Sequence, residues 1–324
     1  MRKVLITGIT GFVGSHLADY LLDLEEEIDI YGLSRWRSPR DNIKHIEDKI
    51  HLVYGDLLDS HSIYKCLSLL HPDIIFHLAA QSYVPYSFQV PASTLDVNGL
   101  GTLNLLECVN QLRSSENYDP IVHICSSSEV YGQVDPKNVP IKEDCPFNPV
   151  SPYAVSKVTE DMLGLQYWIS YGIKTIRTRM FTHTGPRRGE VFVVSNFAKQ
   201  IVDIERGYRK SIVSVGNLTS IRTFADVRDT VKAYWLLVNK CPPGEVYNIG
   251  GSTTMTVGEM LQRLISFSVK KDIRIQMVKS RMRPSDATLQ IPCIDKFKEA
   301  TGWEPMIDFD TTLQDTLSYW REKL

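Results

Sequence analysis

Short apolar runs alternate with amphipathic stretches along the first half of the chain. The runs predicted as strands cover residues 3–7, 28–33, 50–54, 73–78 and 121–126. The stretches predicted as helices cover residues 12–23, 60–70 and 92–112. The strand runs are apolar without alternation, as expected of strands that are covered on both faces. Strand and helix repeated in this order predict an α/β fold with a doubly wound parallel sheet of the Rossmann type.

The second half of the chain has a different rhythm. A helix at 152–171 and a strand at 174–179 continue the alternation, which ends after Phe181. Loop residues, single helices and short strands follow, and they predict a smaller mixed α/β domain. The predicted Rossmann domain comprises residues 1–181 and 218–250, with 224–239 and 246–250 returning to the sheet. The predicted substrate domain comprises residues 182–217 and 251–324.

The composition argues against several classes of partner. Lys and Arg number 36 and Asp and Glu 38, a formal net charge of -2, so we expect neither nucleic acid nor a membrane surface as a partner. The six cysteines form no CxxC pair, which argues against a metal site. Glycines interrupt the apolar N-terminus, and no stretch reaches the ~18 apolar residues of a membrane span. We therefore expect a cytoplasmic protein.

A glycine-rich loop directly follows the first predicted strand. It reads Thr-Gly-Ile-Thr-Gly-Phe-Val-Gly over residues 7–14 and opens the first helix. Its glycines permit a tight turn and a close backbone approach to a pyrophosphate, and the free N–H groups of the helix N-terminus favour the same anion. The loop therefore predicts a bound dinucleotide. The residues predicted to contact it are Gly8, Gly11, Phe12, Val13 and Gly14.

The end of the second strand indicates which dinucleotide binds. Cofactors with a free 2′-hydroxyl usually meet an acidic residue there, whereas residues 33–40 contain none. Arg35, Arg37 and Arg40 occupy this stretch instead. Because arginine forks suit a 2′-phosphate, the predicted cofactor is NADP. After the third strand, Asp56 is placed either to meet the adenine amine or to act as a turn residue.

A tyrosine and a lysine supply candidate acid–base chemistry. Tyr153 and Lys157 are four residues apart in a predicted helix and so lie on one face. A lysine ammonium beside a phenol lowers its pKa, so the phenolate can take a proton from a sugar hydroxyl. Ser127, Ser128 and Glu129 follow the fifth strand. These five residues form the predicted catalytic set.

These motifs together resemble the extended short-chain dehydrogenase/reductase family that acts on nucleotide sugars. Further matching segments lie at residues 78–82, 96–98, 151–153, 217, 222 and 283–284. The resemblance implies cofactor contacts by Asp56, Leu57, Leu78, Ala79, Ala80, Tyr153, Lys157 and His183. It implies substrate contacts by Ser82, Thr182, Arg188, Asn196, Asn217, Arg222 and Arg283. Arg222 and Arg283 would lie at the nucleotide diphosphate.

Within that family, the chain is most similar to the GDP-mannose 4,6-dehydratases, at residues 127–132, 183–190 and the arginine loop. The resemblance implies transient oxidation at C4, proton removal from C5 by Glu129 and loss of water from C6. The expected substrate is GDP-mannose or a GDP-linked manno-heptose. In that subfamily the arginine loop implies contact with a neighbouring subunit, hence a homotetramer, and paired helices common in the family imply a homodimer.

Two departures from the subfamily leave alternatives open. Thr182 stands where the subfamily has Asn. Residues 197–205, 227–229 and 233–237 are also very similar to the GDP-4-keto-6-deoxymannose reductases, so a reductase is the main alternative. A nucleotide-sugar epimerase or decarboxylase is a third reading. A non-catalytic NADP-binding sensor is a fourth, and the Tyr/Lys pair argues against it.

Overall fold

A parallel sheet of seven strands forms the centre of the computed structural model, which describes residues 2–324. Along the described chain the strands are β1 (Arg2–Thr7), β2 (Ile28–Ser34), β3 (His51–Tyr54), β4 (Ile74–His77), β5 (Ile121–Ser127), β6 (Thr175–Met180), β7 (His183–Thr184), β8 (Ile212–Val215), β9 (Ile221–Asp226), β10 (Val246–Ile249), β11 (Thr253–Thr256), β12 (Arg274–Met277) and β13 (Leu289–Gln290). The order in the large sheet is β3-β2-β1-β4-β5-β6-β10, and all neighbours are parallel. The order reverses between β1 and β4, and ligands of open α/β sheets bind at the carboxyl ends of the strands at such a point.

Helices cover both faces of this sheet. The α-helices of the described chain are α1 (Phe12–Leu22), α2 (Ser60–Leu70), α3 (Val84–Gln89), α4 (Pro91–Leu95), α5 (Gly101–Ser115), α6 (Pro152–Tyr171), α7 (Val193–Glu205), α8 (Val227–Lys240), α9 (Val257–Ser266), α10 (Asp295–Thr301) and α11 (Phe309–Lys323). Leu17 of α1 and Tyr234 of α8 are buried in the core on one face, and Leu67 of α2 and Leu105 of α5 in the core on the other. The predicted α/β fold with a parallel, doubly covered sheet is confirmed.

A second core lies between α7, α9 and α11. Ile201, Leu261 and Leu313 are buried there. Two small sheets flank it: β9 pairs with β7, β11 and β13, and β8 pairs with β12. All of these elements except β9 lie within the residues predicted for the smaller domain.

Two stretches pack differently from the predicted division of the chain, which otherwise stays a prediction. β9 lies in the predicted Rossmann range but pairs with strands of the small sheet. Phe297 and Trp303 lie in the predicted substrate range but are buried in the core beside the large sheet. The ring of Phe297 meets Tyr247 of β10 edge to face at 5.6 Å, so α10 covers the sheet edge.

Two further observations concern the thiols and the helices. All six cysteines lie within residues 2–324 and are free thiols. Over the same residues, no helix combines the length and apolar character needed to cross a bilayer.

Candidate active site

A pocket at the carboxyl ends of β5 and β6 gathers residues that are distant in sequence. The predicted site residues that line it are Ser82, Ser127, Ser128, Glu129, Tyr153, Thr182, His183, Arg188, Arg222 and Arg283. Catalytic and substrate-binding candidates therefore share one space, at the edge of the sheet where a ligand is expected.

Two predicted substrate contacts do not line this pocket. Asn196 accepts hydrogen bonds from Gln200 and Arg281 through its side-chain oxygen. Asn217 donates to Asp286 at 3.3 Å. Both amides thus form hydrogen bonds with residues of the predicted substrate domain, and their contact with substrate stays a prediction.

Two positions of the glycine loop have no room for a side chain. A Cβ on Gly8, which has φ +73°, would lie 2.9 Å from the Cα of Ala79, and one on Gly14 would lie 2.4 Å from the Gly8 carbonyl oxygen. Gly11 precedes α1 and supplies no side-chain cap, so the N–H groups of the first turn, including Phe12 and Val13, are free to meet an anion. The loop fits a dinucleotide pyrophosphate.

The ends of β1 and β4 are joined by one hydroxyl. Oγ of Thr7 accepts from the backbone N–H groups of Leu78 and Ala79 at 3.0 and 3.1 Å. It also bonds to Nδ1 of His77 at 3.0 Å, and burial lowers the pKa of His77 to about 3. This neutral network holds residues 78–80 beside the glycine loop.

The arginine loop divides into free and engaged side chains. Arg35 and Arg37 are exposed, whereas Arg40 is bonded to Glu47 and to the hydroxyl of Tyr54. Arg35 and Arg37 are therefore better placed than Arg40 to meet a further anion.

Residues after β3 form a turn. Oδ1 of Asp56 accepts from the backbone N–H of Leu58 at 3.1 Å, the geometry of a turn residue. Leu57 is buried against Gly101 of α5, where a Cβ would lie 2.9 Å from the Leu57 Cβ. The structure thus shows Asp56 in the second of its two predicted roles, and its contact with adenine stays a prediction.

Helix α6 holds the tyrosine and lysine on its inner face. Ser151 caps the helix by accepting from the N–H of Ala154, and Pro152 follows at the first position. Nζ of Lys157 lies 5.9 Å from the centre of the Tyr153 ring. Burial raises the pKa of Tyr153, and the Lys157 charge and the polar Ser127 side chain oppose that rise. The arrangement can stabilise a phenolate.

A short 3-10 helix directs Glu129 toward the pocket. Ser127 ends β5, and its Oγ accepts from the N–H of Glu129 at 3.2 Å, which starts the helical turn Ser128–Tyr131. The Glu129 carboxylate faces Arg222. Burial lowers the pKa of Arg222, and the charges of Glu129 and Asp286 oppose that effect.

Asp286 organises the arginine pair of the pocket. Its carboxylate accepts from Arg222 at 3.2 Å, from Arg283 at 3.5 Å and from Ser220 at 2.9 Å. Asp286 was not among the predicted site residues, although an acid three residues after Arg283 in a loop is a signal for such a pairing.

The loop after β7 places the guanidinium of Arg188 between two aromatic rings. The guanidinium of Arg188 lies 4.8 Å from the ring centre of Phe12 and 3.7 Å from that of Phe192. Burial lowers the pKa of Arg188 to about 10, and no acid in the described chain forms an ion pair with it. The loop is fixed to α1 where Arg187 donates to Asp19 at 2.6 Å. Phe192 carried no signal in the sequence.

His183 presents one unused ring nitrogen. Its ring stacks on Phe12 at 5.8 Å, and its Nδ1 donates to the carbonyl of Phe181. Burial lowers the pKa of His183 to about 3, so Nε2 is an unprotonated acceptor. That atom is buried and has no partner among residues 2–324, which fits a donor on a bound cofactor.

A second, larger cavity lies elsewhere. It measures about 680 Å³ and is lined by β11 and the start of α9. None of the described residues lining it belongs to the predicted site, and its Glu259 is committed to the cap of α9. The described chain also has no cluster of three or more potential metal ligands.

Known proteins resemble the chain over almost its whole length. The family model for GDP-mannose 4,6 dehydratase matches residues 5–316. The chain is 32% identical to the GDP-6-deoxy-D-mannose reductase of Pseudomonas aeruginosa, covering 100% of this chain and 98% of the relative. It is 33% identical to the GDP-mannose 4,6-dehydratase of Yersinia enterocolitica, covering 95% and 90%.

Solved structures with the same fold include both reductase and epimerase. RMD from Pseudomonas aeruginosa complexed with NADPH has a TM-score of 0.84 at 30% identity, covering 100% of both chains. The Thermus thermophilus UDP-glucose 4-epimerase complex with NAD has a TM-score of 0.85 at 26% identity, again covering 100% of both.

Proposed function

Because the chain belongs to the GDP-mannose 4,6-dehydratase family, we propose that it is an NADP-dependent 4,6-dehydratase of GDP-mannose or a GDP-linked manno-heptose. The observation that carries this proposal is the presence of Glu129 in one pocket with Ser127 and Tyr153. Dehydration needs a second base besides the tyrosine, whereas ketone reduction does not.

The cofactor would be held by the glycine loop and by residues 78–80. The free N–H groups at the start of α1 would meet its pyrophosphate, and Arg35 and Arg37 would meet a 2′-phosphate. The nicotinamide supplies reversible hydride exchange with the sugar when it is bound.

The residues of the chain move the protons. Tyr153 takes the proton of the C4 hydroxyl, and the Lys157 charge stabilises the phenolate. Ser127 hydrogen bonds to the oxygen at C4. The C4 ketone makes the C5 hydrogen acidic, so Glu129 can remove it and then protonate the C6 hydroxyl as it leaves as water. Return of the hydride to C6 and of a solvent-derived proton to C5 would complete the 4-keto-6-deoxy sugar. Arg222 and Arg283 bind the diphosphate.

A reductase of the 4-keto-6-deoxy sugar is the second candidate. It is favoured by the match to the Pseudomonas aeruginosa reductase, which runs over 100% of this chain and 98% of that protein. In that reaction Tyr153 would donate a proton to the C4 oxygen, and Glu129 would have no step to perform.

The cofactor balance distinguishes the two candidates. A dehydratase should convert GDP-mannose to a product lighter by one water with catalytic NADP and no net change in NADPH absorbance. A reductase should consume NADPH steadily with the 4-keto-6-deoxy sugar and leave GDP-mannose unchanged. Mass spectrometry and absorbance on the same samples measure both, and the second result would replace the dehydratase assignment.

We further propose a homodimer or homotetramer with α5 and α6 at the contact. Leu100, just before α5, is 45% exposed, and Val155 and Ile169 on α6 are 42% and 71% exposed, although all three are apolar. Light scattering of wild type and Ile169→Glu tests this, since a charge at the contact should lower the molar mass.

A further inference from the structure

Two adjacent acids on the inner face of α6 have different surroundings. Asp161 accepts from Arg177 at 2.9 Å through one oxygen and from Arg179 at 2.8 Å through the other. Both of its oxygens are satisfied, as is typical of a buried ion pair that serves the fold.

Glu160 is only partly satisfied. Its side chain is 1% exposed, and its Oε2 accepts from Nζ of Lys157 at 2.9 Å. Its Oε1 is buried and has no partner within residues 2–324. A buried carboxylate is costly unless both oxygens are bonded, so this incomplete pairing needs an explanation other than stability.

The contact acts on the lysine that faces the reacting phenol. An ammonium has three donors, and Lys157 uses two of them, on the Cys125 carbonyl at 2.9 Å and on Glu160. These two acceptors fix Nζ at 5.9 Å from the Tyr153 ring centre. The position and the net charge of the ammonium beside the phenol therefore both depend on Glu160.

We propose that Glu160 is a positioning residue that anchors Lys157 and, by offsetting its charge, sets the acidity of the Tyr153 phenol. The inference rests on the proposed roles of Tyr153 and Lys157. A carboxylate within hydrogen-bond distance of the ammonium weakens the attraction between ammonium and phenolate. It also stabilises the protonated form of the lysine.

The direction of the effect follows from these charges. Burial raises the pKa of Glu160 to about 7, with Lys157 opposing, so the carboxylate is charged in the alkaline range. In Glu160→Gln the Lys157 charge is no longer offset, and the pKa of Tyr153 should fall.

Other titratable groups around the pair do not compete with this effect. They are His77, His123, Cys125, Asp161, Arg188 and Tyr234. Burial lowers the pKa of both histidines to about 3, so they are neutral, and it raises the pKa values of Cys125 and Tyr234. Asp161 is held by two arginines. Arg188, whose pKa burial lowers to about 10, is the same in every variant compared, so its charge shifts the Tyr153 midpoint equally in all of them.

A titration of the ligand-free protein tests the inference directly. Tyrosines labelled with ¹³C at Cζ would be followed by NMR, and the Tyr153 resonance is the one lost in Tyr153→Phe. We expect Glu160→Gln to lower the Tyr153 midpoint by about one pH unit. Glu160→Asp withdraws the carboxylate by one methylene and should give a smaller shift in the same direction.

Glu107 provides a matched control, because this acid on α5 accepts from Tyr167 rather than from a lysine. Glu107→Gln should leave the Tyr153 midpoint unchanged. An unchanged midpoint in folded Glu160→Gln and Glu160→Asp, or an equal shift in Glu107→Gln, would overturn the inference. The NMR midpoint needs no turnover, so a failed dehydratase assay does not affect this test.

Discussion

Arg222 donates to Asp286 through Nη2 at 3.2 Å, while its other terminal nitrogen, Nη1, is buried without a partner in the described chain. Asp286 thus orients the Arg222 guanidinium and leaves the N–H groups of Nη1 without an acceptor. Arg283 contacts the same carboxylate at 3.5 Å but is one-third exposed. The two arginines can therefore bind an anion with several oxygens, such as a diphosphate.

Arg222 should therefore contribute more to nucleotide binding than Arg283. Arg222→Lys removes the fork from a desolvated position, and we expect GDP affinity to fall on the order of tenfold to a hundredfold. Arg283→Lys, at a solvated position, should change it only about threefold. Calorimetric titration with GDP measures both, and equal losses would show that burial does not distinguish the two arginines.

Tyr153→Phe should abolish turnover without preventing binding. The phenol hydroxyl transfers the proton, and one general base typically contributes on the order of 10²–10⁴ in rate. The aromatic ring that packs in the pocket is kept, so NADP and GDP should bind with near wild-type affinity. Near-native turnover in this variant would remove Tyr153 from the mechanism.

Features set by local spacing were predictable from the sequence. Gly8 and Gly14 follow a strand and open a helix, and both are positions where a Cβ would clash. Tyr153 and Lys157 meet because residues four apart share a helical face. The seven parallel strands follow from apolar runs that alternate with helices.

The partner of a particular charged side chain was not predictable from the sequence. The sequence predicted that Arg40 would be available to bind a 2′-phosphate, but its side chain is bonded to Glu47. Asp286 meets Arg222 across 64 residues, through the pairing of β13 with β9. Glu160 was within reach of sequence reasoning, since it lies one turn after Lys157 among buried positions, yet only burial shows that its charge faces the lysine.

Cofactor choice should depend on Arg35 more than on Arg40. Arg35 is exposed, and Arg40 is already engaged by Glu47 and Tyr54. We expect NADP to bind better than NAD, and Arg35→Ala to weaken NADP about tenfold without affecting NAD. Arg40→Ala should have the smaller effect. If NAD binds as well as NADP and Arg35→Ala changes neither, the loop does not read the 2′-phosphate.

Acid should destabilise the fold through its buried histidines. Burial lowers the pKa of His77 and His123 from 6.5 to about 3, so the unfolded chain binds more protons between these values. This contribution to the free energy of unfolding is present above pH 6.5 and is lost as pH falls toward 3. The loss amounts to about 1.4 kcal/mol per histidine at one pH unit below 6.5.

His123→Gln isolates one of these groups. Between pH 7 and about 5.5, wild type should lose about 1.4 kcal/mol more than the variant in urea denaturation. Burial raises the Glu160 pKa to about 7, so that residue favours the fold at low pH, but it is present in both proteins and cancels. The same pH dependence in both proteins would show that His123 is not neutral in the fold.

Glu129→Gln should stop the reaction after oxidation and before water loss. Tyr153, Lys157 and Ser127 are intact in this variant, so C4 can still be oxidised, whereas the C5 proton has lost its base. With GDP-mannose and stoichiometric NADP we expect NADPH absorbance to rise and persist, and a 4-keto sugar of unchanged carbon skeleton to accumulate. In deuterated water the wild-type product should carry deuterium at C5, because the proton that Glu129 removes leaves with the water and C5 then takes its hydrogen from solvent. The variant should incorporate at least about a hundredfold less per unit time. Wild-type rates of water loss in Glu129→Gln, or a wild-type product without deuterium at C5, would assign the C5 proton to another group.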